Sequence, residues 1–133
     1  MKPTTILVAA NHPLFRHGLV SILKRIPEFH IVGEASNIVE TTAKVNSLHP
    51  DIVILGTNLS HGDIVNATSW IKQNCPVSKV IVLAESDNTD HISEVLEAGA
   101  SGYLVKERLN IKNICESIKL ASRSEYPVSA GLV

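Results

Sequence analysis

The chain has 133 residues and a formal net charge of −1, with 44% hydrophobic and 19% charged residues. That size and balance suit one domain that buries a core without disulfides or metals, and they exclude an intrinsically disordered chain. The basic residues are scattered and form no stripe that would neutralise nucleic-acid phosphates, so direct DNA binding by this segment is not expected.

Ile6-Leu7-Val8-Ala9-Ala10 is a continuous apolar run, and Asn11-His12-Pro13 offers a helix cap with proline in the first turn. Leu14, Leu19, Ile22, Leu23 and Ile26 recur at helical spacing until Pro27, and His30-Ile31-Val32-Gly33-Glu34-Ala35 reads as a second strand. Val39, Ala43, Val45 and Leu48 suit one face of the next helix, which His49-Pro50 ends before the strand Ile52-Val53-Ile54-Leu55 and Gly56. A polar segment over 56–62 leads to a helix marked by Ile64, Ala67, Trp70 and Ile71 that stops before Pro76. Val80-Ile81-Val82-Leu83-Ala84 is the fourth strand, a helix over 89–98 closes at Gly99, and Tyr103-Leu104-Val105 is the fifth strand. Ile111, Ile114, Ile118 and Leu120 shape a last amphipathic helix.

Five strand–helix units with strands apolar on both faces imply an α/β fold: a doubly wound, five-stranded parallel sheet with five helices, of flavodoxin-like type. Sites in such folds lie outside the carboxyl ends of the strands, near the reversal of strand order. The places to inspect are therefore Ala10-Asn11, residues 56–63, Ala84-Glu85 and Lys106.

Cys75 and Cys115 are far apart and lack Cys-x-x-Cys spacing, which favours two buried thiols in a reducing compartment over a disulfide or zinc site. No apolar stretch approaches the roughly 18 residues of a membrane span, so the chain reads as cytoplasmic, without membrane contact.

Several segments coincide in order and spacing with one family. They are Ile6-Leu7-Val8-Ala9, His12-Pro13-Leu14-Phe15-Arg16-His17-Gly18-Leu19, Ile31-Val32-Gly33-Glu34-Ala35, His49-Pro50-Asp51-Ile52-Val53 and Glu97-Ala98-Gly99-Ala100-Ser101-Gly102-Tyr103-Leu104-Val105-Lys106. Over residues 4–123 the chain closely resembles the receiver domain of NarL/LuxR-type response regulators. The resemblance implies the input half of a transcription regulator. Such receivers hold Mg²⁺ on an acidic pair after strand one and take a phosphoryl group on an aspartate ending strand three. A Thr or Ser after strand four senses that group, and a lysine after strand five neutralises it.

Carried over by position, the acidic pair falls on Ala10 and Asn11, the acceptor on Gly56, the sensor on Ala84 and the lysine on Lys106. Only the lysine is retained. Glycine has no side chain to phosphorylate, alanine donates no hydrogen bond, and one neutral amide is a poor substitute for two carboxylates toward Mg²⁺. Asp51 begins strand three, roughly 16 Å from Gly56 at the rise of a strand, and cannot substitute. The expectation is a pseudo-receiver that needs no cofactor or metal and catalyses no reaction.

Glu85, where the family commonly has a small residue, narrows the entrance and is expected to pair with Lys106. A retained structural lysine is favoured over an anion or small-ligand site in the vacated pocket. Tyr103 matches the family's aromatic switch and is expected to be fixed inward, because Ala84 leaves room beneath it; an exposed ring is the plainer reading. His12 and His61 lie near the rim, but without a third ligand they are read as turn and loop residues. Asn37, Asn58 and Ser60 read as capping and turn residues.

Ile111, Ile114, Cys115 and Ile118 look more apolar than one buried face requires, so Tyr103, Ile111, Ile114 and Ile118 are assigned to a switch and output face that supports a homodimer. Residues 1–123 are read as the receiver-like domain. Residues 124–133 are read as the start of a linker toward a helix-turn-helix domain, through which alone DNA would be bound. The rival reading is a stand-alone module that binds a protein partner or metabolite in the old pocket. A working receiver silenced by mutagenesis is disfavoured, since five positions depart together.

Overall fold

The computed structural model describes residues 2–60, 62–85 and 89–123. In chain order the elements are β1 (Thr4–Ala9), α1 (Pro13–Leu23), β2 (Phe29–Ala35), α2 (Ile38–Leu48), β3 (Ile52–Gly56), α3 (Ile64–Asn74), β4 (Lys79–Ala84), α4 (Thr89–Glu97), β5 (Gly102–Val105) and α5 (Ile111–Arg123), with a 3₁₀ turn at Lys106–Arg108. All strand pairs are parallel, in the order β2-β1-β3-β4-β5. The chain steps from β1 to β2 on one side and returns to β3 on the other. The carboxyl ends of β1 and β3 therefore flank the switch point where such folds place their sites.

The two-residue period of the strands sorts their side chains onto two helical layers. Ile6, Val8, Ile52, Ile54, Ile81, Leu83 and Leu104 face α1 and α5, where Leu19, Val20, Leu23, Ile114, Ile118 and Ala121 complete one core. Leu7, Ala9, Val53, Leu55, Val82, Tyr103 and Val105 face the other layer and meet Val45, Ile64, Ala67, Ile71 and Val95. Each fully buried Leu, Ile or Val contributes about 1.5–3 kcal/mol, which makes these two layers the main source of stability.

Local chemistry sets the helix ends. The His12 ring accepts from the Phe15 amide at 3.3 Å and Pro13 occupies the first turn of α1. Asn37 caps α2 by accepting from Glu40 N at 2.8 Å, and Asp63 caps α3 by accepting from Val65 N at 3.1 Å. His49 ends α2 in the left-handed conformation with φ 47°, just before Pro50. Gly99, at φ +115°, turns α4 toward β5 where a Cβ would lie 2.9 Å from Lys72 Cγ, so only glycine fits there without strain.

The element order, parallel sheet and helical layers agree with the sequence reading; the faces assigned to three helices do not. In α1 the buried residues are Leu19, Val20 and Leu23, whereas Leu14 and Ile22 are exposed. In α2 they are Ile38, Thr41 and Val45, while Val39, Ala43 and Leu48 face outward. Ile114 and Ile118, assigned to an output face, are instead 2% and 0% exposed in the core beneath the sheet. They lie on the stripe of α5 that packs on β3, β4 and β5, which removes them from any partner surface. Ile111 and Leu120 are the exposed apolar residues of that helix, and the thiols differ, Cys75 buried and Cys115 half-buried.

Candidate functional site

The carboxyl ends of the four inner and edge strands β1, β3, β4 and β5 bring Ala10, Gly56, Glu85 and Lys106 around one small cavity, joined by His12, Phe15, Asn58 and Leu83. Its volume is about 10 Å³, at the lower bound of roughly 10–15 Å³ needed to hold a single water. Ala10, Gly56 and Ala84 are buried. A Cβ on Gly56 would lie 3.3 Å from the Ala9 carbonyl oxygen and 3.6 Å from Ala10 Cα, so a side chain there would require the end of β1 to give by a few tenths of an ångström. Thr57 N donates to Leu83 O at 3.1 Å and continues the β3–β4 pairing past Gly56.

Lys106 closes the top. Its Nζ lies 3.6 Å from Glu85 Oε1 and 4.3 Å from the centroid of the Phe15 ring. The pair is partly solvated, with side-chain exposures of 31% and 56%, so it stabilises by no more than about 0–1 kcal/mol, to which the aromatic face adds a cation–π attraction of about 0.5–1 kcal/mol. One carboxylate and one ammonium leave the rim neutral, rather than cationic as the positions Ala10, Asn11, Gly56, Ala84 and Lys106 alone would suggest.

The floor is held from β1 and β2. Arg16 donates from Nη1 to the Ala10 carbonyl at 2.7 Å and from Nε to Glu34 Oε1 at 3.0 Å. A guanidinium thus fixes the loop after β1 by its backbone. The loop after β3 is tied to α2 through Ile38 N, which donates to Ser60 O at 3.0 Å.

The structure therefore gathers Ala10, Gly56, Glu85 and Lys106 into one place, with buried Ala84 at the end of β4 and exposed Asn11 after β1. Tyr103 lies inward, 0% exposed, among the apolar side chains that face the α2–α4 layer. Asp51 sits at the opposite end of the sheet, where its carboxylate accepts from Thr5 N at 2.9 Å and Thr5 Oγ1 at 3.1 Å. His12 is a helix cap, and His61 and residues 124–133 lie outside the described residues. Among the described residues no three His, Cys, Asp or Glu side chains come close enough to share a metal ion, and no helix is long and apolar enough to cross a membrane.

Sequence reasoning missed Phe15, which lies under Lys106, and a much larger groove on the far side of both. That groove, about 720 Å³, runs between α1 and the start of α5 past Leu14, Gly18, Ile22 and Ile111. The signal was present as the spacing Leu14–Gly18–Ile22, four residues apart along one stripe of α1.

Comparison with known proteins agrees with this architecture. The response regulator receiver domain family matches residues 6–119. The transcriptional regulatory protein DegU of Brevibacillus brevis is 32% identical over 118 residues, covering 89% of this chain and 50% of the relative. The nitrate/nitrite response regulator protein NarL of Escherichia coli K12 is 26% identical over 131 residues, covering 98% and 60%. The chain thus spans about half the length of these relatives. Among solved structures, a LuxR-family two-component response regulator from Aurantimonas sp. SI85-9A1 superposes with a TM-score of 0.88 at 22% identity, covering 97% of this chain and 91% of that one. The receiver domain of a NarL from Mycobacterium tuberculosis gives 0.82 at 22% identity, covering 90% and 98%. With the fold, the strand order and the family match in agreement, the chain belongs to the response regulator receiver domain family, with NarL/LuxR-type relatives.

Proposed function

We propose that this is a receiver that works without phosphorylation, a cytoplasmic regulatory module that controls its output through dimerisation or partner binding and performs no catalysis of its own. The observation that carries the reading is the small cavity of about 10 Å³ bounded by Ala10, Gly56, Glu85 and Lys106. Phosphoryl transfer needs an acceptor oxygen, a metal held by carboxylates and room for the equatorial oxygens. Gly56 supplies no acceptor, Ala10 and Asn11 supply no carboxylate, and Glu85 occupies Lys106. The Lys106–Glu85 pair stands where lysine and phosphoryl group would meet, and the buried Tyr103 is consistent with an output surface held in one state.

The full-length relatives carry names of transcription regulators. In this reading residues 1–123 are the receiver and 124–133 begin a linker toward a DNA-binding domain. The small volume of about 10 Å³ favours this reading over its rival, a ligand lodged in the old pocket. The test is light scattering on the chain with and without acetyl phosphate, or beryllofluoride with Mg²⁺. An oligomeric state indifferent to both is the expected result. A monomer that dimerises only with these reagents would show that the pocket still responds and would overturn the proposal.

A further inference from the structure

At the opposite end of the sheet from Gly56 and Lys106, α5 finishes at Arg123 beside the starts of β1 and β2. A cleft of about 580 Å³ lies there, with Thr4, Pro27 and Phe29 on one side and Lys119 and Arg123 on the other. Phe29 is buried in the core beneath α5, which fixes the apolar floor, whereas Pro27 stands exposed at the rim. Proline offers no amide for strand pairing, so this wall suits an occupant that packs against it.

Charge narrows the choice of occupant. The described lining holds three cations, Lys2, Lys119 and Arg123, and one carboxylate, Glu28. Lys119 Nζ lies 3.3 Å from Glu28 Oε2 and uses that carboxylate. Arg123 donates from Nε to the Lys119 carbonyl at 3.2 Å, and neither it nor Lys2 forms an ion pair with a described residue. The cleft is an apolar seat with cationic charge left over, so it fits a short peptide that joins a carboxylate to apolar side chains.

The sequence that follows Arg123 has this composition. Ser124-Glu125-Tyr126-Pro127-Val128 carries one carboxylate, no cation and three apolar residues. Its start adjoins the cleft wall, and five residues reach at most about 18 Å. Pro127 biases Tyr126 toward extended backbone, which lowers the entropy lost on docking. So short a tether gives an effective concentration on the order of millimolar, an advantage that a separate acidic peptide or a second copy lacks.

We propose that residues 124–128 dock in this cleft, with the Glu125 carboxylate against Lys2 and the Tyr126 ring against Pro27 and Phe29. The docked segment fixes the direction in which the chain leaves α5, which makes the amino end of the sheet part of the receiver's output path. The inference extends the reading of 124–133 as a linker. It is independent of the phosphate-free pocket, since acetyl phosphate probes Gly56 and the measurements below do not.

Nuclear Overhauser effects in the isotope-labelled 133-residue chain test it. Contacts from the Tyr126 ring to Pro27 and Phe29 are expected, with backbone order over 124–128 comparable to that of α5. Tyr126→Ala removes that order and shifts the amides of Thr4, Glu28 and Phe29. Lys2 is exposed, so Lys2→Gln leaves the fold intact. It lowers the ratio of docked to free segment about two- to fivefold at low salt, the range of a solvated ion pair, and the difference fades at high salt. A mixture of labelled and unlabelled chain separates contacts within one chain from contacts between copies. Absence of contacts from Tyr126 to the cleft, cleft amides unmoved by Tyr126→Ala, or a ratio unmoved by Lys2→Gln at low salt would overturn the proposal. So would contacts found only between copies, which would assign the cleft to a second chain.

Discussion

The closed pocket at the carboxyl ends of the strands and the groove beside it share Phe15 and Lys106 as a common wall, yet one encloses about 10 Å³ and the other about 720 Å³. Each contains a glycine, and the two glycines act in opposite ways. At Gly56 an added Cβ would meet backbone at 3.3 Å, whereas at Gly18 it would meet nothing within 4 Å. Charge differs in the same sense. The pocket holds one ion pair and is internally compensated; the groove presents lysines without a carboxylate in its lining. Across the pocket, Lys106 Nζ lies 3.6 Å from Glu85 Oε1, so the one lysine of its lining faces a carboxylate.

The sharpest way to break this contrast is to ask whether the groove is surface or unfinished core. Ile114, 2% exposed, and Ile111, 56% exposed, both line it, whereas Ile118 is wholly buried in the core on the same helix. Ile118→Ala should destabilise the protein by about 2–5 kcal/mol through lost burial and a residual cavity. Ile111→Ser should stay within about 0.5 kcal/mol. Urea unfolding of both variants measures the difference directly. Comparable losses would mean that Ile111 is buried in solution, with the groove covered by another molecule.

A smaller effect distinguishes the two glycines. Gly18→Ala places a methyl group in open space within α1 and should stabilise the protein by about 0.5–1 kcal/mol. Gly56→Ala sets its methyl 3.3 Å from the Ala9 carbonyl oxygen and should destabilise, since β1 must move to accept it. Thermal melts of the two variants should therefore shift in opposite directions. Shifts of the same sign would show that the strand ends are not closed as described.

Most of the architecture was legible because strands and punctuation are local signals. Runs such as Ile52-Val53-Ile54-Leu55, bounded by Pro50 and Gly56, identify buried strands, and the switch-point rule then located Ala10, Gly56, Glu85 and Lys106 before any coordinates. Helix faces were less legible for a physical reason. In α1, Leu14 and Ile22 satisfy helical spacing as well as Leu19 and Leu23 do, and periodicity alone does not say which stripe meets the sheet. The same ambiguity sent Ile114 and Ile118 to the surface and Val39 and Leu48 to the core. Only packing resolves it: α5 turns Ile114 and Ile118 onto Ile54, Ile81 and Leu104. Phe15 under Lys106 is a contact between distant segments, with no local trace in the sequence.

The smallest expected effect concerns how the loops around the closed pocket are held. Glu40 Oε1 accepts from Ser36 N and Ser36 Oγ, both at 2.8 Å, and α2 in turn fixes the loop after β3 through Ile38 N and Ser60 O. The Ser36 backbone amide, and after it the Ser36 hydroxyl, hold the Glu40 carboxyl below its ordinary value of 4.5. A carboxyl whose folded pKa is depressed stabilises the native state above the unfolded value, and that stabilisation is lost as pH falls through the folded one. Wild type should therefore melt above Glu40→Gln at pH 7, and the gap should narrow as the pH drops below 4.5. The groove lining contains no carboxylate, so amide shifts of Gly18 and Ile22 should change less over the same range than those of Ser36 and Ser60. Equal movement at both sites would mean that pocket and groove open together, with Lys106 as the hinge between them.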